Sequence, residues 1–529
     1  MAQAVAKVES LSQGAPPPPR GKIRWHLWIP SFVIAGLMVY IAVIAMNWPF
    51  TQQSLIDVLQ ERSMRTVTIG RFSRTYFPPG CSAEDIQFLH RKHKEKQPLI
   101  TVRKLVLVTS YSRIFLLRER LLLVRIINMH VIVPPNTPGQ PNPVMPLTYS
   151  KSAPSIKIDR IVADGAILDF LSSAGKKPYR LLIDKLRLDG IGDNLPMPYR
   201  TVISSQMPPG KIRSTGVFGT WNPKDPGSTP TQGNYTFENA NLAAFGGISG
   251  TLFSSGNFKG TLRSIGVQGT ANVPDFKVQD TSHQRQVAVA YRATVNGMSG
   301  DTELDEVTAR FDHTTAWFRG SVARSGAADG KTAEIDMGTN SGRVEDVLRL
   351  FISDKTAPMS GAFTFLGHVE IPPSEKEFLR RLKLSGDFGV AGGKFANAQT
   401  ESELTHLSDS SQKHRGGAPE QPVANVLSDL KGHGTAVDGI ATLSHVSFSI
   451  PGARAWIHGT YGLIDYKVDL HGTLLTNGSP SDATTGFKSL MVKVITPFFK
   501  KRHSEKLVPF KITGSYSKPD ISLDLSRVR

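Results

Sequence analysis

An uncharged apolar stretch, Leu27–Met46, constrains this chain more than any other part of its sequence. At about 1.5 Å of rise per residue, a helix of this length spans roughly 30 Å, the thickness of the hydrocarbon core of a bilayer. Aromatic residues lie at both of its ends, as they do at membrane–water interfaces. We therefore predict a transmembrane helix whose anchoring residues include Trp28, Phe32, Leu37, Tyr40 and Trp48.

Basic residues lie on only one side of this stretch. Arg20, Lys22 and Arg24 directly precede it, and the next cation after it is Arg62. The positive-inside bias therefore predicts a single-pass protein with a cytoplasmic N-terminus and the bulk of the chain on the far side of the membrane. The alternative is a cleaved signal peptide, but this apolar run is longer than a usual h-region and follows a long tail.

The composition narrows the possible partners. The chain has 529 residues and a formal net charge of +18, but its basic residues are scattered rather than arranged in an aromatic-interleaved stripe. This pattern favours attraction to anionic membrane surfaces over nucleic-acid binding, and we predict no nucleic-acid partner. Because Cys81 is the single cysteine, an intrachain disulfide is excluded.

Sequence periodicity after the apolar stretch predicts a short helix followed by β-structure. Thr51–Ser63 has apolar residues on one helical face. Leu99–Thr109 and Leu121–Val133 are β-branched segments with apolar residues on both strand faces. Such strands are either covered on both sides in a closed core or line something apolar, and the sequence leaves both alternatives open.

A short repeat follows these strands. The pattern I-D-[RK]-[IL]-x-x-D-G occurs at Ile158–Gly165 and again at Ile183–Gly190. Paired aspartates can serve acid–base chemistry, but we expect these at strand edges and turns, in a structural role. Repeated strand pairs of this kind can stack into an elongated sheet in which each strand contacts mainly its neighbours.

The part of the chain after Lys211 is rich in glycine and alternates apolar and polar residues, which predicts short strands up to the C-terminus. In Ala441–Ile450 the residues Val446, Phe448 and Ile450 share a face, and Leu443 joins them only if the register shifts before them. Short helices are predicted over Gly342–Phe351 and Ala424–Leu430.

The catalytic and metal-binding motifs that we sought are missing from the sequence. There is no G-x-S-x-G elbow and no H-E-x-x-H, the single cysteine has no evident base, and the histidines lack ligand spacing. We therefore predict a protein that is not an enzyme and that has no cofactor and no metal. An envelope enzyme with an unrecognised site is the remaining alternative.

Five regions of the chain, taken in order and spacing, resemble the AsmA-like family of inner-membrane-anchored periplasmic proteins. They are Ser54–Phe72 after the apolar stretch, Phe77–Phe88, Ser341–Phe351 with Pro358–Gly367, Pro372–Phe395, and Val508–Tyr516 with Lys518–Asp520. The family is similar to the bridge-like lipid-transfer proteins, whose sheets curl into a groove lined with apolar side chains. The resemblance implies that acyl chains lie in such a groove and that headgroups face water.

The predicted fold is mainly β with few short helices: an N-terminal transmembrane helix followed by an elongated, curved, repeat-like β-sheet that forms a groove. The predicted divisions are a disordered cytoplasmic tail (1–26), the transmembrane helix (27–46), an AsmA-like N-terminal β-rich domain (47–210) and an AsmA-like C-terminal β-rich region (211–529). The groove wall nearest the membrane is predicted to contain Val102, Val106, Val108, Leu122, Val124 and Ile126.

The function implied is phospholipid transfer or lipid homeostasis between the inner and outer membranes. An apolar groove suits it, because each lipid CH₂ exposed to water costs ~0.8 kcal/mol. The expected partners are phospholipids and the inner-membrane bilayer, with outer-membrane or other envelope proteins as further candidates. The alternative function is a scaffold or regulator of outer-membrane protein assembly.

Overall fold

The computed structural model describes residues 25–46, 48–63, 65–89, 98–115, 120–133, 157–171, 179–192, 195–220, 225–278, 283–324, 330–351, 357, 359–374, 376–395, 428–450, 453–476, 506–515 and 518–524. These residues contain the α-helices α1 (Trp25–Met46), α2 (Gln52–Ser63), α3 (Tyr111–Phe115), α4 (Val344–Phe351) and α5 (Phe378–Arg381). Two 3₁₀ turns cover Pro226–Ser228 and Leu242–Phe245.

The first half of the β-structure runs from β1 to β12. Its strands are β1 (Thr66–Thr75), β2 (Gly80–Leu89), β3 (Ile100–Val108), β4 (Arg120–Leu121), β5 (Leu123–Val133), β6 (Lys157–Phe170), β7 (Tyr179–Ile191), β8 (Met197–Gln206), β9 (Pro209–Phe218), β10 (Pro230–Asn241), β11 (Ile248–Ser249) and β12 (Thr251–Thr261).

The second half runs from β13 to β25. Its strands are β13 (Ser264–Val278), β14 (Arg285–Val295), β15 (Thr302–Phe311), β16 (Thr314–Ala323), β17 (Thr332–Arg343), β18 (Met359–Ile371), β19 (Lys383–Phe395), β20 (Ser428–Val437), β21 (Ile440–Ile450), β22 (Ala453–Gly462), β23 (Lys467–Thr476), β24 (Lys506–Ser515) and β25 (Lys518–Leu523).

All 25 described strands join one sheet, in which nearly every strand pairs antiparallel with the strand that precedes it. At two positions in the sheet a two-residue strand lies in line with a longer one, β4 with β5 and β11 with β12. Strands β4 and β5 pair parallel with β6. The sheet is open and curved. At ~4.8 Å per strand it measures roughly 110 Å across its strands. The predicted mainly β fold with few helices is thus confirmed.

Several local predictions can be compared with these elements. The helix predicted over Thr51–Ser63 is confirmed as α2, and the one predicted over Gly342–Phe351 is confirmed as α4 from Val344 on, whereas Gly342 and Arg343 end strand β17. The helix predicted over Ala424–Leu430 is wrong at its end, because residues 428–430 begin strand β20, while residues 424–427 lie outside the described part. The predicted cytoplasmic tail also lies outside it, apart from residues 25 and 26 at the start of α1.

Helix α1 covers the uncharged apolar stretch and starts two residues before it. Its side chains from residue 32 to residue 43 are all exposed. Among the helices of the described residues, none meets the combined requirement of length and apolarity for a membrane span.

The sheet continues without a break through the predicted division at residues 210 and 211. Strand β9 pairs with β8 on one side and with β10 on the other over most of its length. The division into two β-rich regions therefore stays a prediction.

At the end of the sheet that follows α1, the alternation of side chains between the two faces reverses at neighbouring positions of several strands. In β2 the buried apolar residues Cys81 and Ala83 have odd numbers, whereas Ile86, three residues after Ala83, is buried with an even number. Asp85, which directly precedes Ile86, has a φ of 55°. A left-handed residue inserted into a strand changes the face on which the following side chains lie.

The same reversal crosses the neighbouring strands. Asn128 in β5 has a φ of 52° and Gly165 in β6 a φ of 75°. A Cβ on Gly165 would lie 2.7 Å from Oδ1 of Asn128, which shows that the two left-handed residues are adjacent. Gly165 ends the first copy of the I-D-[RK]-[IL]-x-x-D-G pattern, and Gly190 of the second copy has a φ of 74°. The Asp-Gly pairs thus lie inside strands β6 and β7 rather than at turns.

The aspartates of this repeat form ion pairs across strands. Asp164 accepts hydrogen bonds from Arg125, and Asp189 accepts them from Arg160 and Arg187. This arrangement favours the structural role that the sequence predicts.

One ion-pair cluster at the end of β6 gives a pH-dependent prediction. Asp169 is 5% exposed and accepts two hydrogen bonds from Arg180 at 2.6 and 2.8 Å, while His130 lies 2.8 Å away. Mainly because of the Arg180 hydrogen bonds, and despite partial burial, the pKa of Asp169 falls to about 2. The folded state thus gains stability above the ordinary Asp pKa of about 4 and loses it as the pH falls through 2.

We therefore expect Asp169→Asn to remove about 2 kcal/mol from the free energy of unfolding at pH 6 and much less at pH 2. Urea denaturation of the wild type and the variant at both pH values measures this difference. An equal destabilisation at the two pH values would contradict the assignment of this stability to the Asp169 carboxylate.

Candidate functional site

One face of the sheet carries a continuous apolar row that crosses fifteen strands, from β10 to β25. Each member pairs in register with the next, and directly paired residues lie on the same face. Every member is glycine, aliphatic or aromatic. The row is Tyr235, Gly256, Gly269, Tyr291, Val307, Phe318, Met337, Gly367, Gly386, Gly434, Leu443, Gly459, Leu470, Ile512 and Ile521.

The opposite face carries a continuous polar row from β16 to β25. In each of these strands, the row contains the residue next to the strand's member of the apolar row. Its members are Arg319, Asp336, His368, Ser385, Thr435, Thr442, Thr460, Asp469, Thr513 and Asp520. From β16 to β25 the sheet is therefore amphipathic across neighbouring strands, and not only within single strands.

The apolar row is only half-buried. Phe318, Met337, Leu443 and Leu470 are all intermediate in exposure. Side chains in a core sealed by a second layer would be nearly inaccessible, as Ile86 is with 1% exposure. An apolar face of this length that remains accessible is the usual mark of a surface that binds an apolar partner.

Glycines let aromatic rings lie flat on this face. A Cβ on Gly367 or Gly386 would come within 2.6 to 2.7 Å of the Phe365 ring, so neither position accepts a larger residue without displacing that ring. At the other end of the row, Tyr235 and Tyr291 lie over Gly256 and Gly269 and join through their hydroxyl groups. Burial and the neighbouring Tyr291 raise the pKa of Tyr235 well above its ordinary value, which keeps this phenol neutral.

A second apolar feature is a cavity of about 880 Å³ at the end of the sheet that follows α1. This volume lies within the ~300–1,000 Å³ typical of small-molecule sites. Helix α2 forms one wall and strands β2 to β6 form the other, which includes part of the buried cluster around Ile86. Its lining includes Phe50, Leu55, Leu59, Ile86, Phe88, Ile100, Val102, Leu105, Leu107, Leu121, Val124, Ile126 and Met129.

The six predicted groove residues divide between the two faces of the sheet. Val102, Val124 and Ile126 line the cavity. Val106, Val108 and Leu122 are half-buried and are not part of its lining. The reversal of alternation explains the two β3 positions: after Arg103 the cavity side chains of β3 are Leu105 and Leu107, so Val106 and Val108 point away.

The predicted anchor residues also divide. Phe32, Leu37 and Tyr40 lie on α1 and are 52 to 72% exposed, whereas the side chain of Trp28 lies outside the described residues. Trp48 lies elsewhere than predicted: it is 3% exposed, and its Nε1–H donates a hydrogen bond to the Gly80 carbonyl at 3.2 Å. Its ring is covered by Tyr76, Phe50 and Tyr111. Trp48 therefore packs in the folded domain.

The polar edge of the cavity contains two arginines that share one carboxylate. Arg113 donates to Asp159 Oδ2 at 2.9 Å, and Arg120 donates to Asp159 Oδ1 at 2.5 Å. Partial burial raises the pKa of Asp159, but the two hydrogen bonds outweigh that effect and the pKa lies below its ordinary value. Two guanidinium groups therefore share one carboxylate at this edge.

One arrangement of catalytic type that the sequence did not suggest lies on the polar face. His433 Nδ1 is 2.7 Å from Asp387 Oδ1, and Ser385 Oγ is 3.2 Å from His433 Nε2. The Asp387 side chain is 77% exposed, and the backbone around Ser385 belongs to the β18–β19–β20 ladder. Without a sheltered carboxylate and free amides for an oxyanion, this set lacks what a serine hydrolase uses.

Metal ligands are not grouped in the part of the chain that the structure describes: it contains no cluster of three or more His, Cys, Asp or Glu suited to a metal ion. Cys81 is buried, and burial raises the pKa of its thiol to about 12, so the thiolate needed for nucleophilic chemistry does not form near neutral pH.

Comparison with known proteins does not add an identity. No protein-family model matches the chain. The search of curated proteins also gives no match. The resemblance to the AsmA-like family therefore stays a prediction.

Proposed function

We propose that this protein is a non-enzymatic, membrane-anchored carrier of phospholipid between the inner and outer membranes, of the AsmA-like type. Acyl chains lie against the apolar row of the sheet, and headgroups face water. The observation that carries the proposal is the row itself, which is apolar or glycine at fifteen consecutive register positions and stays half-accessible.

The energetics favour such a path. A phospholipid that crosses water exposes its chains at ~0.8 kcal/mol per CH₂, which makes free diffusion between membranes very slow. The apolar row continues from strand to strand and shields the acyl chains from water at each step. Because no bond forms or breaks, the process needs no nucleophile and no cofactor.

The anchor and the cavity are adjacent in the chain. Helix α1 ends at Met46, and Pro49 and Phe50 already line the cavity. We propose that α1 lies in the inner membrane, supported by its uncharged sequence and by the exposed apolar side chains of residues 32–43. The cavity then lies where a lipid would enter the sheet, and the net charge of +18 favours contact with anionic membrane surfaces.

A charge in the apolar row tests this function. Leu443 in β21 pairs with Gly434 and Gly459, so an aspartate has room there without displacing neighbours. We expect Leu443→Asp to lower the rate of lipid transfer between vesicles at least about tenfold. An acyl chain that passes this position must desolvate the new carboxylate, which raises the free-energy barrier by well over 1.4 kcal/mol. The measurement follows a fluorescent phospholipid from donor vesicles that hold the full-length protein to acceptor vesicles.

The matched control is Thr442→Asp, which introduces the same charge. Thr442 directly precedes Leu443 in β21 and belongs to the polar row on the opposite face. That variant should transfer lipid at close to the wild-type rate. If both variants keep the wild-type rate, or if the wild type transfers no lipid, the proposal fails and the scaffold for outer-membrane protein assembly becomes the better account.

A further inference from the structure

The cavity beside α2 has a chemically divided lining. Its walls are aliphatic and aromatic, and the charged residues among the described part of its lining are three arginines, Arg62, Arg113 and Arg120. Arg113 and Arg120 share the single carboxylate of Asp159, so two guanidinium groups lie at this edge beside one carboxylate.

Arg113 has hydrogen-bonding capacity left over. Its Nη2 donates to Asp159, whereas its buried Nη1 has no hydrogen-bond acceptor among the described residues. The side chain is 22% exposed, so solvent reaches it only in part. A buried N–H group of a guanidinium without an acceptor is costly, and such a group is normally satisfied by an ion, a water molecule or a ligand.

These two properties describe an amphiphilic ligand. Guanidinium groups bind phosphate in a fork geometry that suits two oxygens at once, and they bind more strongly when partly desolvated. The apolar walls alongside accept hydrocarbon. A ligand that satisfies both has an anionic head and at least one acyl chain.

We propose that Arg113 and Arg120 bind the headgroup phosphate of an anionic phospholipid whose acyl chains fill the cavity. This inference rests on the function proposed above and adds to it a class of lipid and a place of entry. The pairing with Asp159 holds the two guanidinium groups side by side, so the carboxylate orients the site.

Lipid selectivity tests the proposal. The full-length protein is incubated with vesicles that contain phosphatidylglycerol, phosphatidylcholine or diacylglycerol, and the lipid bound to each repurified sample is quantified by mass spectrometry. We expect the wild type to take up phosphatidylglycerol at least tenfold more than diacylglycerol, with phosphatidylcholine between them. The double variant Arg113→Gln/Arg120→Gln should lose this discrimination to within twofold while it still binds diacylglycerol.

Arg125→Gln is the control, because Arg125 pairs with Asp164 and does not line the cavity. It should keep wild-type selectivity. Equal uptake of phosphatidylglycerol and diacylglycerol by the wild type, or undiminished selectivity in the double variant, would overturn the headgroup site and leave the transfer function standing. Uptake of no lipid at all would instead overturn the transfer function.

Inorganic phosphate separates a headgroup site from a site for the free anion. If the arginines serve a lipid, 10 mM phosphate should leave phosphatidylglycerol uptake nearly unchanged, since the acyl chains supply most of the affinity. Complete competition by phosphate would show that the site takes the free anion, and that result would contradict the proposal.

Discussion

Aspartate in place of Ile126 is expected to empty the cavity of lipid. Ile126 in β5 lines the cavity and is half-buried, so its replacement places a carboxylate against hydrocarbon. Transfer of an unpaired charge into such surroundings costs several kcal/mol, which corresponds to a loss of at least about a hundredfold in lipid affinity. The measurement is the amount of phospholipid that co-purifies with the full-length variant.

Val106 offers a closely matched control. It lies on the adjacent strand β3, is also half-buried, pairs with Arg125 rather than with Ile126, and points away from the cavity. Val106→Asp should therefore keep its lipid. Circular dichroism on both variants checks that each retains the sheet. Loss of lipid from both variants to the same extent would contradict the assignment of the two faces.

Replacement of Asp346 by alanine is expected to produce the largest loss of stability. Asp346 in α4 is 1% exposed, and its Oδ2 accepts hydrogen bonds from the His313 N–H and the Thr314 hydroxyl, both at 2.9 Å. Thr314 in turn accepts from the Arg343 N–H at 2.9 Å, which links α4 to strands β16 and β17. Asp346→Ala removes the acceptor of both donors, of which the Thr314 hydroxyl is fully buried, at a cost of about 3 kcal/mol.

Native-state hydrogen exchange measures this effect where it occurs. Because strands in a long sheet depend mainly on their neighbours, we expect exchange in α4, β16 and β17 to accelerate about a hundredfold and exchange in β1–β3 to stay unchanged. Asp336→Ala is the control, since Asp336 pairs with His368 at an exposed position where an ion pair contributes little. Unchanged exchange near α4 in Asp346→Ala would refute the role of this network.

Much of the strand structure could be predicted because alternation is a local property of the sequence. The clearest example is β21, where Leu443 could share a face with Val446 only through a shift of register. The structure has that shift between Leu443 and Val446, and His445 between them has a φ of 53°. The prediction about Leu443 is therefore confirmed.

The same kind of shift was not foreseen at the end of the sheet that follows α1. Asp85 and Asn128 are residue types that tolerate left-handed backbone, but the sequence gives no sign that they adopt it within strands. As a result, the prediction from strict alternation placed Val106 and Val108 on the same groove wall as Val102. The sequence signal that could have revealed the shift is a pair of apolar residues an odd number of positions apart, such as Val102 and Leu105.

The arginine site could not be foreseen at all. Arg113 lies in α3, Arg120 begins β4, and Asp159 lies in β6, and they meet because β4 pairs parallel with β6 across a long connection. Burial of Trp48 was missed for a similar reason. An aromatic residue beside an apolar stretch resembles an interfacial residue until the Gly80 carbonyl and the Tyr76 ring are placed next to it.

The most direct test of the central claim is photo-crosslinking along the sheet in the full-length protein reconstituted with phospholipid vesicles. Benzoylphenylalanine is placed at Phe318 and Leu470, which belong to the apolar row, and at their strand neighbours Arg319 and Asp469, which belong to the polar row. After irradiation, phospholipid adducts are detected by mass spectrometry. The lipid-path account predicts adducts at Phe318 and Leu470 and none at Arg319 and Asp469. Equal labelling of both rows, or no lipid adduct at any of the four positions, would contradict it.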